Sequence, residues 1–296
     1  MGGPVVVGTD GSASSLDAVA EAAREARRRA ADLRVVHAFV QPELRIPLSS
    51  PPLVCTDADM RALTDPLMAR AVERARAVAP QVEVSRAVVA GDALTVLEKQ
   101  SRTAQLVVVG SRGTGTFTRL LVGSTGVDLA AHARCPVLVL RGTYDATGPV
   151  LVGVDGSPAA GDAVAFAFQE AALRGTGLVA LHAWTTWNVP VPPPPQDPAT
   201  PYAYGPGMLE RDEERLLAEA LAGCAERYPQ VPVERRLVHS ATREALVAAS
   251  RNTQLLVVGA RGRGGFTGML LGSVSQAVLH HAHCPVAVAR PPSPPR

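Results

Sequence analysis

The chain has 296 residues, a formal net charge of +2 and 47% apolar side chains. That length suggests about two domains of ~100–200 residues each, and the apolar content can fill two cores. The near-balanced charge gives no signal for nucleic acid, and no apolar run reaches the ~18 residues of a membrane span. Lys99 is the one lysine, which argues against a lysine-dependent phosphate site. Met1-Gly-Gly-Pro-Val passes straight into an apolar run without the basic and apolar regions of a signal peptide, so a cytoplasmic location is expected.

Taken in order, the chain reads as two copies of one pattern. Val5-Val-Val-Gly8-Thr9-Asp10-Gly11-Ser12 predicts a buried strand and a turn, and Val150-Leu-Val-Gly153-Val154-Asp155-Gly156-Ser157 repeats it. Alanine-rich helical stretches follow at 14–31 and 158–174, with Ser12 and Ser157 as caps. Second strands are predicted at Leu33–Phe39 and Leu178–Trp184, apolar on both faces as a helix-covered sheet requires. The copies then diverge. A short Pro/Ser loop occupies 41–56, whereas Pro190-Val-Pro-Pro-Pro-Pro195 opens an extended polyproline loop continuing to Gly207. Helices resume at 57–79 and 207–227, where Glu213, Glu214, Arg215 and Glu219 predict a solvated face. Strands follow at Glu83–Val89 and Val233–Val238, then short helices at Ala93–Arg102 and Thr242–Arg251.

Next come two glycine loops with the same internal spacing. Gly110-Ser-Arg-Gly113, nine residues, then Gly123-Ser124 follows Leu106–Val109; Gly259-Ala-Arg-Gly262, nine residues, then Gly272-Ser273 follows Leu255–Val258. Backbone without a Cβ can approach an anion closely, and bare N–H groups at a helix start point at it. Each loop leads into a helix, near 124–133 and 273–282. Final strands are predicted at Val137–Leu140 and Val286–Ala289, before a proline-rich tail at 291–296. Strand-helix alternation of this kind implies an α/β fold: two tandem doubly wound parallel sheets. Ligands bind such sheets beyond the carboxyl ends of the strands, where strand order reverses. If strands one and four of each copy are neighbours, Asp10 and the Gly110 loop share one crevice, as do Asp155 and the Gly259 loop.

The aspartates fit hydrogen bonding to a sugar or base, or holding a phosphate-bound Mg²⁺; each also fits a turn using its own backbone. Arg112 and Arg261 could neutralise an oxyanion. No G-x-x-x-x-G-K-[ST], H-E-x-x-H or G-x-S-x-G occurs, and no acidic residue ends the second strand, so P-loop, zinc-protease, serine-hydrolase and dinucleotide readings fail. Cys135 and Cys284 stand in matching Cys-Pro-Val contexts as small buried residues opening strands. His37 and His182 match as packed strand-end histidines. His280, His281 and His283 read as a local surface feature.

These residues resemble the universal stress protein family. Gly-x2-Gly-x9-Gly-Ser after Val-Val-Val is similar to the nucleotide motif of its ATP-binding branch; Val-Gly-Thr-Asp-Gly-Ser and Cys-Pro-Val match its first and last strands. The resemblance covers nearly the whole chain as a tandem pair: domain 1 at 1–143, domain 2 at 148–290 and the tail. It implies an adenine nucleotide alpha hydrolase-like fold, five parallel strands in order 3-2-1-4-5, and bound ATP, to which the aspartate reading adds Mg²⁺ as one option. By position, it implies Thr9 and Asp10 beside ribose and adenine and backbone from Ala38 to adenine. Val109, Gly110, Arg112 and Gly113 would surround ribose and phosphates, with Gly123, Ser124 and Thr125 on the phosphates. In the second half it implies Val154, Asp155, Ala183, Val258, Gly259, Arg261, Gly262, Gly272, Ser273 and Val274. It also implies pairing through the last strands, between the halves or between chains as a homodimer. Two departures stand out: Ser240-Ala241 replaces Gly91-Asp92, and Gln105 and Gln254 replace an acidic residue before the fourth strand. A stress-response signalling module is the leading expectation. A slow ATP hydrolase and a nucleotide-free, dimerising interaction protein are its rivals, and no residue stands out as a catalytic base.

Overall fold

Short valine- and leucine-rich runs make the strands because branched apolar side chains suit a sheet buried on both faces. The computed structural model describes residues 2–40, 57–111, 124–141, 147–185, 208–263 and 270–290, with 57–61, 124 and 208 described by backbone alone. The chain divides into two units, residues 1–141 with 290–296 and residues 142–289. The first carries β1 (Val5–Gly8), α1 (Ala13–Arg28), β2 (Leu33–Phe39), α2 (Asp57–Val78), β3 (Val84–Ala90), α3 (Ala93–Ser101), β4 (Leu106–Gly110), α4 (Ser124–His132) and β5 (Val137–Leu140). The second carries β6 (Val150–Gly153), α5 (Pro158–Arg174), β7 (Leu178–Trp184), α6 (Met208–Arg227), β8 (Val233–His239) and α7 (Thr242–Ala249). A 3-10 turn (Ser250–Asn252), β9 (Leu255–Gly259), α8 (Ser273–His281) and β10 (Val286–Ala289) complete it.

Within the first unit the strand order is β3-β2-β1-β4-β5, and within the second β8-β7-β6-β9-β10. All the pairs are parallel, with Val5 opposite Leu106 in one unit and Val150 opposite Leu255 in the other. Each unit is therefore the doubly wound sheet of order 3-2-1-4-5 that the alternation and the resemblance imply. The loops 41–56 and 186–207 and the tail 291–296 lie outside the described residues.

Burial follows position in the sheet. Val5, Val7, Val107, Val108, Leu151, Val152, Leu256 and Val257 on the central strands are fully buried. The outer strands β3 and β8 are half exposed and carry Arg86, Glu234, Arg235 and Arg236, charges of the kind that keep an edge from pairing. α1 packs Ala18, Val19, Ala22, Ala23 and Ala26 inward. It also buries two acids. Glu25 takes Arg28 at 2.6 Å and pairs with Arg29, while Glu21 holds Arg24 at 2.8 Å and Arg28 at 3.0 Å. Burial alone would raise Glu21, but the Arg28 charge and hydrogen bonds from both arginines outweigh it and hold the carboxyl below its ordinary value.

The glutamine departures have a plain local cause. Gln105 donates its amide N–H to the Gly3 carbonyl at 2.6 Å, and Gln254 donates likewise to Gly148. An ionised carboxylate has no proton to give there. Cys135 and Cys284 are buried where β5 and β10 open, and burial pushes their thiols up to about 12 and about 11.

Candidate functional site

In each unit β1 and β4, or β6 and β9, lie side by side at the point where strand order reverses, which sets the ends of the two strands next to each other. The turn after each first strand has one construction. Ser12 N–H donates to Asp10 Oδ1 at 3.0 Å and Ser157 N–H to Asp155 Oδ1 at 2.9 Å, the turn-forming role open to an aspartate. Gly11 and Gly156 take φ of 79° and 71°, which residues with a Cβ rarely adopt. Ser12 and Ser157 then cap α1 and α5, accepting from Ser15 N–H and Ala160 N–H, each at 3.2 Å. Thr9 is buried; its hydroxyl meets Ser15 Oγ at 3.1 Å and accepts from Gly11 N–H at 3.3 Å. Val154, its counterpart, is apolar and buried.

The second unit shows the expected convergence. Asp155 Oδ2 accepts from Arg263 N–H at 2.9 Å, which joins the first turn to the glycine loop. Gly262 lies against that carboxylate, where a Cβ would collide with Oδ2. Arg261 and Gly262 are exposed, while Val258 is buried and can present only its backbone. Gly272 N–H donates to the Ala260 carbonyl at 2.8 Å. Helix α8 then starts at Ser273, with Gly272 as its cap and no side-chain hydrogen bond on its first amides. Ser273 is exposed and Val274 half-buried on that first turn.

The glycines differ in what they exclude. A Cβ on Gly259 would stand 2.6 Å from the Ala159 carbonyl oxygen, and one on Gly110 2.6 Å from Ser14 Oγ. Both are bare so that α1 and α5 can pack against a strand end. A Cβ on Gly272 would meet nothing nearer than 3.4 Å, and its φ of −72° is ordinary. A Cβ there would meet only ordinary contacts, from Arg261, Ala260 and Gly262. The bare backbone lies beside helix amides that no side chain caps, the arrangement an anion uses.

Ala183 is not hydrogen-bonded to the Asp155 group; its carbonyl is approached instead by the Thr242 hydroxyl at 3.4 Å. In the first unit Thr9, Asp10, Ala38, Val109, Gly110 and Thr125 fall at the matching strand ends and helix start, and Ser124 opens α4. Arg112, Gly113 and Gly123 lie outside the described residues. The Ser240-Ala241 departure removes a cap: Asp92 accepts from Thr95 N–H at 2.9 Å at the start of α3, whereas Ala241 gives α7 no side-chain cap.

Three groups escaped the sequence reading. Ser275 donates to the Gly259 carbonyl at 2.7 Å and ties α8 to β9. Arg263, just past the motif, supplies the amide for Asp155. Glu213, placed above on a solvated face, is buried and hydrogen-bonded to His182. Its spacing held the signal: Leu216 and Leu217 follow at i+3 and i+4, so the three share a helix face. Glu214, Arg215 and Glu219 are exposed as expected.

The universal stress protein family profile matches residues 1–141 and 147–290. A universal stress protein of Mycolicibacterium smegmatis (strain ATCC 700084 / mc(2)155) is 39% identical over 299 residues, spanning 97% of this chain and 97% of its own. One from Mycobacterium tuberculosis (strain ATCC 25618 / H37Rv) is 40% identical over 295 residues, spanning 97% and 96%. The crystal structure of a universal stress protein from Archaeoglobus fulgidus DSM 4304 shares the fold, with a TM-score of 0.68 at 19% identity over 97% of this chain and 98% of that one. The chain therefore belongs to the universal stress protein family, whose profile it matches twice in tandem.

Proposed function

We propose that each unit binds ATP across the carboxyl ends of its central strands, and that the protein is a nucleotide-dependent stress-response module in the cytoplasm. The observation that carries this reading is the start of α8, where Gly272 leaves the first amides without a side-chain cap beside a loop drawn to Asp155. The residues suit the group. The amides of Ser273 and Val274 offer donors to phosphate oxygens, reinforced by the helix dipole. Arg261 is an exposed guanidinium at the loop. Asp155 supplies the one acidic side chain of this group, fit for a ribose hydroxyl or for a water of a phosphate-bound Mg²⁺. Among the described residues no group of three or more His, Cys, Asp or Glu could hold a metal by itself, so the ion would travel with the nucleotide. Among them too, no helix is long and apolar enough to cross a membrane.

The first unit carries the same turn and strand pair, so the reading extends to Asp10, Gly110, Gly123, Ser124 and Thr125. Association through the last strands belongs to the same proposal. Isothermal calorimetry with ATP and Mg²⁺ tests the binding: two sites per chain are expected. An absence of heat at millimolar ATP, with no protection against melting, refutes it.

A further inference from the structure

The second glycine loop leaves β9 at Gly259 and enters α8 at Ser273, and two hydrogen bonds hold its ends together. Gly272 N–H donates to the Ala260 carbonyl at 2.8 Å. Ser275 Oγ–H donates to the Gly259 carbonyl at 2.7 Å. The first is backbone alone and is open to any sequence. The second depends on one side chain.

Ser275 is 4% exposed, whereas Ser273 on the same turn is exposed. Residues two apart on a helix point to nearly opposite sides, so one serine is turned outward and the other toward the strand. Gln276 N–H bonds the Gly272 carbonyl at 3.0 Å, the opening bond of the α8 ladder. The Ser273 and Val274 amides precede that bond, and Ser275 follows them on the turn that carries them. The start of α8 cannot slide from the end of β9 without breaking a buried hydrogen bond.

The first unit is built differently. Gly126, buried on the first turn of α4, stands where the second unit has Ser275, and it has no side chain to reach the strand. The hydroxyls of the first unit lie at the other wall of the crevice. Thr9 Oγ1 meets Ser15 Oγ at 3.1 Å beside the Asp10 turn, where the second unit has the buried, apolar Val154 and Ala160.

We propose that Ser275 is a positioning residue for the second nucleotide site. By fixing the start of α8 on the end of β9, it sets the Ser273 and Val274 amides where phosphate oxygens are bound. Less ordering then remains for the binding step, and affinity rises by that difference. The first site lacks this side-chain tie, so more of the ordering of α4 falls to the arrival of the nucleotide. The inference rests on the nucleotide reading above.

The test is calorimetric titration of the full chain with ATP and Mg²⁺, one site at a time. Gly123→Val silences the first site and Gly272→Val the second. In the Gly123→Val chain, Ser275→Ala keeps a good helix former and loses only the hydroxyl. Its affinity is expected to fall about fivefold, the effect of one ordinary net hydrogen bond. In the Gly272→Val chain, Gly126→Ser transfers the tie to the first unit and is expected to tighten ATP binding there. Gly126→Ala is its control, since it improves the helix equally without a hydroxyl; the serine variant is expected to bind more tightly than the alanine one. A role for Ser275 in stability alone predicts no such gain in the other unit. The Gly126 comparison also stands by itself should Ser275→Ala fold poorly. Unchanged affinity in Ser275→Ala, or equal affinities in Gly126→Ser and Gly126→Ala, overturns the proposal. Absence of ATP binding by the unsubstituted chain instead refutes the nucleotide reading on which it rests.

Discussion

Gly259 and Gly272 belong to one motif yet are bare for different reasons, and substitution separates them. A methyl on Gly259 runs into backbone at 2.6 Å, so Gly259→Ala is expected to destabilise the second unit by ~1–3 kcal/mol through overpacking. Gly272→Val meets only ordinary contacts at the Cβ and is expected to cost about 0.5–1 kcal/mol as a poorer helix cap, while removing one nucleotide per chain. Thermal melting beside calorimetric stoichiometry checks both; equal loss of stability in the two variants would refute the distinction. The cysteines make a second residue-scale case. Thiols pushed to about 12 and about 11 are almost wholly protonated at neutral pH, and the thiolate is the reactive form. Cys135 and Cys284 are therefore expected to resist alkylation until the protein unfolds, as mass mapping of labelled peptides would reveal. The sign for stability follows. Their folded values lie above the ordinary 9.0, so the stabilising difference is complete below about pH 9 and is lost as pH rises through 11 to 12.

Elements were the most legible layer of the sequence. Valine runs, serine caps and paired glycines announce β1, α1, β4 and their copies, because burial on both faces and helix capping each leave a fixed local pattern. What depends on tertiary partners was not legible. The spacing of Glu213 from Leu216 and Leu217 marks the inward face of α6, but nothing in the sequence pairs it with His182. The glutamines before β4 and β9 looked like missing acids until their N–H groups met Gly3 and Gly148. The uncapped start of α7 is a departure whose cost can be recovered. Ala241 has the extended backbone of a cap, φ −63° and ψ 129°, without an acceptor. Ala241→Asp, which restores the arrangement Asp92 makes on α3, is expected to stabilise the second unit by ~0.5–2 kcal/mol. Chemical denaturation of the variant checks this, and no gain would count against the reading of the Ser240-Ala241 departure.

Across the whole molecule, the two units share strand order, turn and cap, and differ in the polar details around the crevice. Thr9 corresponds to Val154, Thr64 to Glu213, Gly126 to Ser275 and Asp92 to Ala241. Duplication has kept the backbone device and let its supports diverge, so the two sites are expected to differ in affinity while sharing a ligand. The measurement that tests this account most directly is a crystal structure of the full chain grown with excess ATP and Mg²⁺. Phosphate density at the amino ends of α4 and α8, with Asp10 and Asp155 turned to the nucleotide, is the predicted result. Density at neither helix, with the Arg263–Asp155 bond unchanged, would contradict it.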